Sequence, residues 1–244
     1  MTADDASRVA VVTGGSSGIG RAIAAALVLE GFDVYVVARR CEPLRAAVAE
    51  LAAGGHRVEA ISANLRYSEE IERVVDRVSA ESGRLDFLVN SAGVAIREDM
   101  TGMRASHVDL LIDVNLQSVM QMCRAAGELL RATARRTGRA DVVNISSYAG
   151  VEPAAGLAVY SAAKAGVIAF SRAINREWGR DGVRSCALCP GYVDTPLVSG
   201  ERQNATAAGL IPVSDVVEVV RMLLRLSARC VIPEVVMVRN GLKP

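Results

Sequence analysis

Residues 13–20 read Thr-Gly-Gly-Ser-Ser-Gly-Ile-Gly (TGGSSGIG), and this stretch decides the fold. A short β-branched run from Arg8 to Thr13 precedes it, and a helical pattern from Ile19 to Glu30 follows it. Strands and helices have different hydrophobic periods, so the change of period on either side of the glycines marks a strand-to-helix turn. The sequence therefore predicts a strand, a glycine-rich turn and a helix in immediate succession.

Three glycines of this turn, Gly14, Gly18 and Gly20, are spaced G-x-x-x-G-x-G. Glycine tolerates positive φ, lets backbone N–H groups approach a pyrophosphate, and allows the helix to pack closely on the strand. The turn therefore indicates a dinucleotide site. A turn that merely connects strand and helix is the alternative that this motif alone leaves open.

The alternation of strands and helices continues to the carboxyl end. Strands are predicted at Asp33 to Ala38, Arg57 to Ser62, Leu85 to Asn90, Asp141 to Ser146, Val183 to Cys189 and Ile232 to Val238. Helices are predicted at about Pro43 to Ala53, Ser68 to Ser82, Ser106 to Val114, Leu116 to Arg136, Leu157 to Trp178 and Ser214 to Ala228. This order predicts an α/β fold in one domain, residues 1–244: a Rossmann-like, doubly wound parallel sheet of about seven strands with helices on both faces.

Composition narrows the function classes. The chain has 244 residues, of which 51% are hydrophobic, and its 28 Lys and Arg nearly balance its 27 Asp and Glu. The net charge of +1 gives no electrostatic footprint for nucleic acid or an anionic membrane. No apolar run reaches the ~18 residues of a membrane span, and the first residues lack a signal core. We expect a soluble, cytoplasmic protein without nucleic-acid or membrane partners.

Five cysteines make a disulfide framework improbable and indicate reduced thiols. Cys186 and Cys189 have C-x-x-C spacing, but they fall in a predicted strand, where this spacing sends the two side chains to opposite faces. No second pair or histidine cluster accompanies them. We therefore expect buried packing, and no metal site.

A hydrolase is a rival interpretation, because Gly14 to Gly18 also fits G-x-S-x-G with Ser16 as nucleophile. Such an enzyme needs a histidine base, and the chain has two histidines, His56 and His107. His56 follows two glycines and His107 lies at a polar helix start, so both are more typical of solvated side chains.

Tyr160 and Lys164 lie four residues apart in a predicted helix and therefore share one face. A tyrosine that exchanges protons near neutral pH needs a pKa about 3 units below its reference value, which amounts to about 4 kcal/mol. A lysine charge ~5 Å away supplies roughly 3 kcal/mol at an effective dielectric constant of ~20. The tyrosine of this pair can therefore act as a general acid. A Tyr-x-x-x-Lys motif by itself, however, is common in proteins.

With these motifs in order, the chain resembles the short-chain dehydrogenase/reductase family from about Arg8 to Val238. The matching segments are TGGSSGIG at 13–20, NSAG at 90–93, Asn115, ISS ending at Ser147, YSAAK at 160–164 and PGYVDT at 190–195. The resemblance implies that Tyr160 donates the proton in reduction, that Lys164 holds the ribose and lowers the tyrosine pKa, and that Ser147 hydrogen-bonds the substrate oxygen. It also implies a water held by Asn115 in a proton relay. Ser147 is preferred to Ser146 because it lies at the family's usual spacing before the tyrosine.

The resemblance also assigns the cofactor-binding residues. These are Gly14, Ser16, Ser17, Gly18, Ile19, Gly20, Arg39, Arg40, Asn64, Leu65, Asn90, Ala92, Gly93, Tyr160, Lys164, Pro190, Gly191, Val193 and Thr195. Asn90 and Asn115 have a second interpretation, which is hydrogen bonding to exposed backbone at the end of a strand or in a helix.

Two departures from the family pattern bear on the cofactor. Ala38 stands where members that prefer NAD place an aspartate, and Arg39-Arg40 follow it. Because arginine pairs with a 2′-phosphate that an aspartate would repel, NADP(H) is favoured over NAD(H), with a solvated surface arginine pair as the alternative. Asn64-Leu65 replaces the usual Asp-Val near the adenine, so an amide oxygen of Asn64 takes the place of the carboxylate there.

The sequence thus predicts an NADP(H)-dependent oxidoreductase that moves hydride between the nicotinamide and a small carbonyl or secondary alcohol. A 3-oxoacyl-thioester reductase and a noncatalytic dinucleotide-binding sensor are the alternatives. The carboxyl end, Ile232 to Gly241, favours small substrates. A substrate lid is expected at about 196–212 over a mainly apolar pocket, in which Arg97 and Glu152 are the charged exceptions.

Apolar residues on more than one helix face predict an assembly, a homotetramer first and a dimer next. The residues that carry this expectation are Ala162, Val167, Ile168, Phe170 and Ile174.

Overall fold

The first strand, β1 (Arg8–Thr13), is buried from Val9 onward because parallel strands flank it on both sides. The structure, a computed structural model, describes residues 7–198 and 209–240. The other strands are β2 (Phe32–Ala38), β3 (Val58–Ser62), β4 (Phe87–Asn90), β5 (Ala140–Ile145), β6 (Val183–Pro190) and β7 (Glu234–Met237). Within the described residues they form one parallel sheet of seven strands in the order β3-β2-β1-β4-β5-β6-β7. The predicted doubly wound fold is confirmed.

Helices cover both faces of the sheet. They are α1 (Gly18–Leu29), α2 (Cys41–Ala52), α3 (Ser68–Ser82), α4 (Ala105–Ile112), α5 (Ser118–Thr137), α6 (Ala158–Trp178) and α7 (Val213–Arg225). One apolar core joins the sheet to α1, α2 and α7, and a second core joins the opposite face to α3, α5 and α6. None of the helices in the described ranges combines the length and apolarity that crossing a membrane requires.

The two helices predicted on either side of Asn115 are joined without a break. A single wide π-helical turn, Asp113–Gln117, connects α4 to α5. Its Asn115 side chain donates one hydrogen bond back to Leu111 O and another to Val94 O, at 2.9 Å each. Such a bulge lets a side chain point away from the ordinary helix register, and here it places Asn115 beside the segment that follows β4.

The last helix ends three residues before its predicted end at Ala228. Arg139 donates to Leu224 O and Leu226 O, and Arg184 donates to Leu223 O, at 2.7–3.0 Å. These guanidinium groups satisfy the terminal carbonyls of α7, which the next helical turn would otherwise satisfy. The helix therefore stops at Arg225, because of residues far away in the sequence.

An ionic cluster at the amino ends of the strands joins the same two arginines to the buried Asp141. Asp141 accepts from Arg139 Nε at 2.6 Å and from Arg184 Nε at 2.7 Å. A similar pair lies nearby at the same ends of the strands: Arg84 binds Asp86, whose Oδ2 also accepts from the main-chain N–H of Val9 at 2.8 Å. The amino ends of the strands, where these ion pairs lie, are opposite the carboxyl ends, where the glycine turn and the predicted catalytic residues lie.

Candidate active site

A cleft of about 930 Å³ opens along the carboxyl ends of the strands. It lies where the strand order reverses between β1 and β4, which is the usual ligand position in open parallel sheets. Arg39 and Arg40 line one end, and Ser147 and Tyr160 line the other. A single cleft therefore connects the predicted cofactor and catalytic residues.

The glycine turn leaves no room for side chains. A Cβ at Gly14 would lie 2.8 Å from the backbone of Ala92, and a Cβ at Gly20 would lie 2.6 Å from Gly14 O. Gly14 and Gly18 also have positive φ, at 66° and 54°. Helix α1 begins here, and its N-cap residue Ser17 makes no side-chain cap. The turn fits a pyrophosphate, because bare backbone and the first N–H groups of a helix face the cleft.

The other end of the cofactor region carries positive charge. Arg39 and Arg40 are exposed and follow β2 directly. Asn64 lines the cleft, and its Oδ1 accepts from the main-chain N–H of Arg66 at 3.3 Å. Leu65 also lines the cleft while packing in the core. Arg66, which the sequence analysis missed, lines this end too and pairs with Asp113 at 2.7 Å.

Tyr160 and Ser147 face each other at the inner end of the cleft. Tyr160 is buried in the first turn of α6, and Ser147 follows β5, where its Oγ accepts from the main-chain N–H of Ala149 at 3.1 Å. Burial raises the pKa of the Tyr160 hydroxyl, while hydrogen bonding with the Ser147 side chain acts in the opposite direction. Because its pKa is raised, the Tyr160 hydroxyl stays protonated. It can therefore donate a proton to an oxygen placed beside Ser147.

Lys164 lies one helical turn beyond Tyr160, as predicted. Its Nζ is 5.8 Å from the centroid of the Tyr160 ring and donates to Ile145 O at 2.8 Å. Complete burial lowers the pKa of Lys164 to about 8. In the protein alone, burial raises the Tyr160 pKa, whereas the sequence analysis expected the lysine to lower it.

The Asn115 side chain is fully engaged by the protein. Besides its two donated bonds, its Oδ1 accepts from Val94 N at 3.2 Å, so it holds both polar groups of the Val94 residue. A Cβ at Gly93 would lie 3.1 Å from that oxygen and 3.7 Å from Lys164 Nζ. Asn115 thus positions the segment beside the lysine, and a water relay through it stays a prediction.

The two adjacent serines differ in environment. Ser146 is buried, and its Oγ donates to Lys164 O at 2.7 Å, which fixes the helix that carries Tyr160 and Lys164. The side chain of Ser147 is the one that interacts with Tyr160. This arrangement agrees with the choice of Ser147 for the substrate oxygen.

The cleft brings together all the predicted site residues except Asn90. Those that line it are Gly14, Ser16, Ser17, Gly18, Ile19, Gly20, Arg39, Arg40, Asn64, Leu65, Ala92, Gly93, Asn115, Ser147, Tyr160, Lys164, Pro190, Gly191, Val193 and Thr195. Asn90 is buried at the end of β4, and its Nδ2 donates to Asn144 Oδ1 at 2.8 Å. Its side chain bridges two strands beneath the cleft through another side chain, and not through exposed backbone as its structural interpretation had it.

The substrate end is lined mainly by apolar side chains. Val94, Leu110, Val114, Ala149 and Leu157 lie there, together with the expected charged residues Arg97 and Glu152. The sequence analysis named Arg97 and Glu152 but not Tyr148 and Tyr192, which also line this end. Tyr148 directly follows the ISS segment and Tyr192 lies within the PGYVDT segment, so their positions beside the ends of β5 and β6 were the signal that could have identified them.

The predicted lid lies partly outside the described residues. Residues 199–208 are not described, which includes the predicted lid residues Gly200, Glu201, Arg202, Ala205, Ala207 and Ala208. Leu197 and Val198 line the cleft at one end of the segment. At the other end, Ile211 forms a parallel bridge with Val193.

The hydrolase interpretation finds no support in the geometry. Ser16 lines the cleft, but neither histidine of the chain does. His107 instead bonds to Glu98 at 2.9 Å and contacts Arg104, and His56 is exposed beside Gly54. The cysteines of the C-x-x-C segment pack in separate hydrophobic clusters, as expected for buried packing.

Comparison with known proteins supplies the family. The profile of the short chain dehydrogenase family matches residues 8–206. A 3-oxoacyl-[acyl-carrier-protein] reductase of Synechocystis sp. is 36% identical over 199 residues, which cover 81% of this chain and 78% of the relative. A solved actinorhodin polyketide ketoreductase variant with NADPH is 30% identical with a TM-score of 0.87, covering 99% of this chain and 98% of the other. A metagenomic short-chain oxidoreductase in complex with NADP is 34% identical with a TM-score of 0.81, covering 97% and 98%.

Proposed function

Because the chain belongs to the short-chain dehydrogenase/reductase family and is an oxidoreductase, we propose that it uses NADP(H) to reduce the carbonyl of a small, mainly apolar substrate. The observation that carries this proposal is the placement of Tyr160, Ser147 and Lys164 at the inner end of the cleft that begins at the glycine turn. The reverse reaction, oxidation of a secondary alcohol, uses the same residues.

The glycine turn and the two arginines support the choice of cofactor. Gly14 to Gly20 would hold the pyrophosphate, and Arg39 would pair with the 2′-phosphate through charge-assisted hydrogen bonds. When bound, the reduced nicotinamide supplies hydride to the carbonyl carbon. Ala38 leaves no acidic side chain to repel the phosphate. Two of the solved relatives carry NADPH or NADP, which agrees with this preference.

The protein's own part in the reaction is to hold the substrate oxygen and to supply a proton. Ser147 Oγ donates a hydrogen bond to the carbonyl oxygen and fixes it beside Tyr160. The Tyr160 hydroxyl then gives its proton to that oxygen as negative charge develops there. Lys164 stabilises the resulting phenolate, because a cation within about 6 Å in a buried site is weakly screened.

The lining of the substrate end indicates the class of substrate. The apolar side chains of Val94, Leu110 and Leu157 favour a neutral ketone or aldehyde. A 3-oxoacyl thioester is the second candidate, and the name of the Synechocystis relative favours it. The expected lid at 196–212 would cover either substrate.

The decisive experiment follows the loss of nicotinamide absorbance with NADPH or NADH against a panel of neutral ketones, aldehydes and a 3-oxoacyl thioester. We expect turnover with at least one neutral ketone and a preference for NADPH. Absence of turnover across the panel, or a preference for NADH, would contradict the respective part of the proposal. A noncatalytic sensor would bind NADPH in this assay without consuming it.

We further propose that the protein acts as a homotetramer in the cytoplasm, where its five free cysteines stay reduced. Of the residues first expected at an interface, Val167, Ile168 and Ile174 are buried within the chain, Ala162 is exposed and Phe170 is half-buried. The exposed residues Ala162, Ala165 and Ala169 lie on one face of α6, and this face remains for one partner. Exposed apolar residues near the last strand, Val231, Val236 and Val238, offer a second surface.

Two separate surfaces allow closure into a tetramer, and one alone would give a dimer. Light scattering at micromolar concentration measures the mass directly. The mass of a single chain would contradict the proposal, and the mass of two chains would favour the dimer.

A further inference from the structure

The Arg97 side chain crosses the substrate end of the cleft. Its Nη1 donates to Ala155 O at 2.8 Å and its Nη2 donates to Tyr192 Oη at 3.0 Å. Its methylene groups lie over Gly156, where a Cβ would come within 3.1 Å of Arg97 Cγ. Arg97 therefore ties together the segments that follow β4, precede α6 and follow β6, and all three line the cleft.

The Tyr192 ring is fixed from its other side. The guanidinium of Arg239 lies 5.1 Å from the ring centroid, and its Nη1 donates to Gly209 O at 3.3 Å. The backbone of Tyr192 is held as well, because its carbonyl accepts from Ile211 N at 2.9 Å. Such contacts preorganise the phenol. A ligand that binds to it therefore does not have to offset the entropy of ordering this side chain.

The hydrogen-bonding state of Tyr192 leaves one donor for a ligand. A phenol has one O–H donor and an oxygen that accepts. Arg97 donates to the phenol oxygen, so the phenol's own hydrogen is left to donate to a ligand. The positive charge of Arg97 makes this O–H a stronger donor. Tyr192 lines the same cleft as Tyr160, and its phenol is close enough to act electrostatically on Tyr160.

The reacting carbonyl oxygen already has two partners in the proposed reaction, Ser147 and Tyr160. A simple ketone therefore offers the Tyr192 hydroxyl no acceptor of its own. A hydrogen bond from Tyr192 would need a second acceptor oxygen on the substrate. We propose that Arg97 and Tyr192 form a second oxygen-recognition site, which favours substrates that carry an acceptor oxygen near the reacting carbonyl, such as 3-oxo esters, over simple ketones. This inference rests on the proposed reductase function and narrows its substrate class.

The test compares a neutral 3-oxo ester with a methyl ketone of equal chain length. Tyr192→Phe keeps the ring against Arg239 and removes the donor, so kcat/KM for the 3-oxo ester should fall on the order of tenfold, as for the loss of one hydrogen bond between neutral groups. The methyl ketone reports any effect of the change on Tyr160 itself, so the ratio of the two kcat/KM values, 3-oxo ester over methyl ketone, is the quantity that should fall. Arg97→Met keeps the contact with Gly156 and should lower the same selectivity ratio.

The double variant shows whether the two residues act through one group. Its effect on the ratio should not exceed that of the larger single variant, because both changes act on the same O–H. NADPH affinity and the thermal midpoint are measured for the parent, the two single variants and the double variant. Both quantities should be unchanged in Tyr192→Phe. Equal losses for the two substrates, or no loss, would overturn the inference.

A binding measurement keeps this result separate from the proposed function. Calorimetry with the corresponding 3-hydroxy ester and NADPH involves no turnover, because both ligands are already reduced, and Tyr192→Phe should weaken binding of the 3-hydroxy ester on the order of tenfold. Unchanged binding would overturn the oxygen-recognition site even in an active reductase. If the parent protein reduces neither substrate but the binding difference is present, the proposed function fails and the recognition site stands.

Discussion

The Lys164 ammonium nitrogen lies 5.8 Å from the centre of the Tyr160 ring, and both side chains are buried. A helical turn sets this separation, and the hydrogen bond from Lys164 Nζ to Ile145 O keeps the lysine from moving away. The buried lysine therefore costs stability in the protein alone, and in the proposed reaction it would stabilise the negative charge that develops on the tyrosine oxygen. The same arrangement permits separate tests of catalysis and stability.

Replacing Tyr160 by phenylalanine should abolish most turnover. The ring and its packing remain, but the transferable proton is lost, so kcat should fall by about 10² to 10⁴-fold. NADPH affinity, measured by fluorescence titration, should be preserved. A variant that keeps a tenth or more of the parent kcat would rule out Tyr160 as the proton donor.

Replacing Lys164 by methionine should stabilise the protein while lowering its activity. Burial lowers the pKa of Lys164 to about 8, well below its unfolded value, so the charged form is costly in the folded state. The difference corresponds to roughly 3 kcal/mol at neutral pH, as an upper estimate. The thermal midpoint should rise.

The pH dependence of that gain provides the check. Between pH about 8 and about 10.5 the unfolded parent binds more protons than the folded one, so the parent gains stability as the pH rises. The advantage of Lys164→Met should therefore be full below pH about 8 and disappear towards pH about 10.5. A gain that is independent of pH would show that lysine burial is not its cause.

Replacing Arg39 by alanine should weaken NADPH binding on the order of tenfold or more and leave NADH nearly unaffected. The reason is the loss of charge-assisted bonds to the 2′-phosphate, which NADH lacks. Arg21→Ala is the matched control, because Arg21 is an exposed arginine of α1 that pairs with Glu50. Equal weakening of both cofactors would show that Arg39 does not discriminate between them.

Replacing Gly20 by alanine should reduce affinity for either cofactor at least tenfold, since the new Cβ would meet Gly14 O at 2.6 Å and displace the turn. Gly179→Ala serves as the control, because a Cβ there meets no described atom within 4 Å. Titration of both variants with NADPH decides the matter, and a Gly20→Ala protein that binds normally would contradict the assignment of the turn.

Replacing Asp141 by asparagine should destabilise the protein by about 3 kcal/mol, because the buried Arg184 and the half-buried Arg139 lose their shared carboxylate. Glu72→Gln breaks only the exposed pair with Arg124 and should change the free energy of unfolding by less than about 1 kcal/mol. Denaturant titration compares the two. Similar values for both variants would show that burial of the Asp141 cluster adds nothing.

The parts of the structure that the sequence predicts well have local signals. The glycine spacing after β1 and the helical spacing of Tyr160 and Lys164 each lie within a few residues, and the structure places both at the cleft. The π-helical turn at Asn115 and the end of α7 were missed, because their causes are hydrogen bonds to Val94 and from Arg139, far away in the chain. The Arg97–Tyr192 contact spans 95 residues for the same reason.

The strand order has a consequence for how the chain is made. Each strand pairs with one that precedes it in sequence: β2 with β1, β3 with β2, β4 with β1, and β5, β6 and β7 each with the strand just before. No strand has to be inserted between two that are already joined. The sheet can therefore grow outward while the chain leaves the ribosome, and the two walls of the nucleotide cleft face each other as soon as β4 docks.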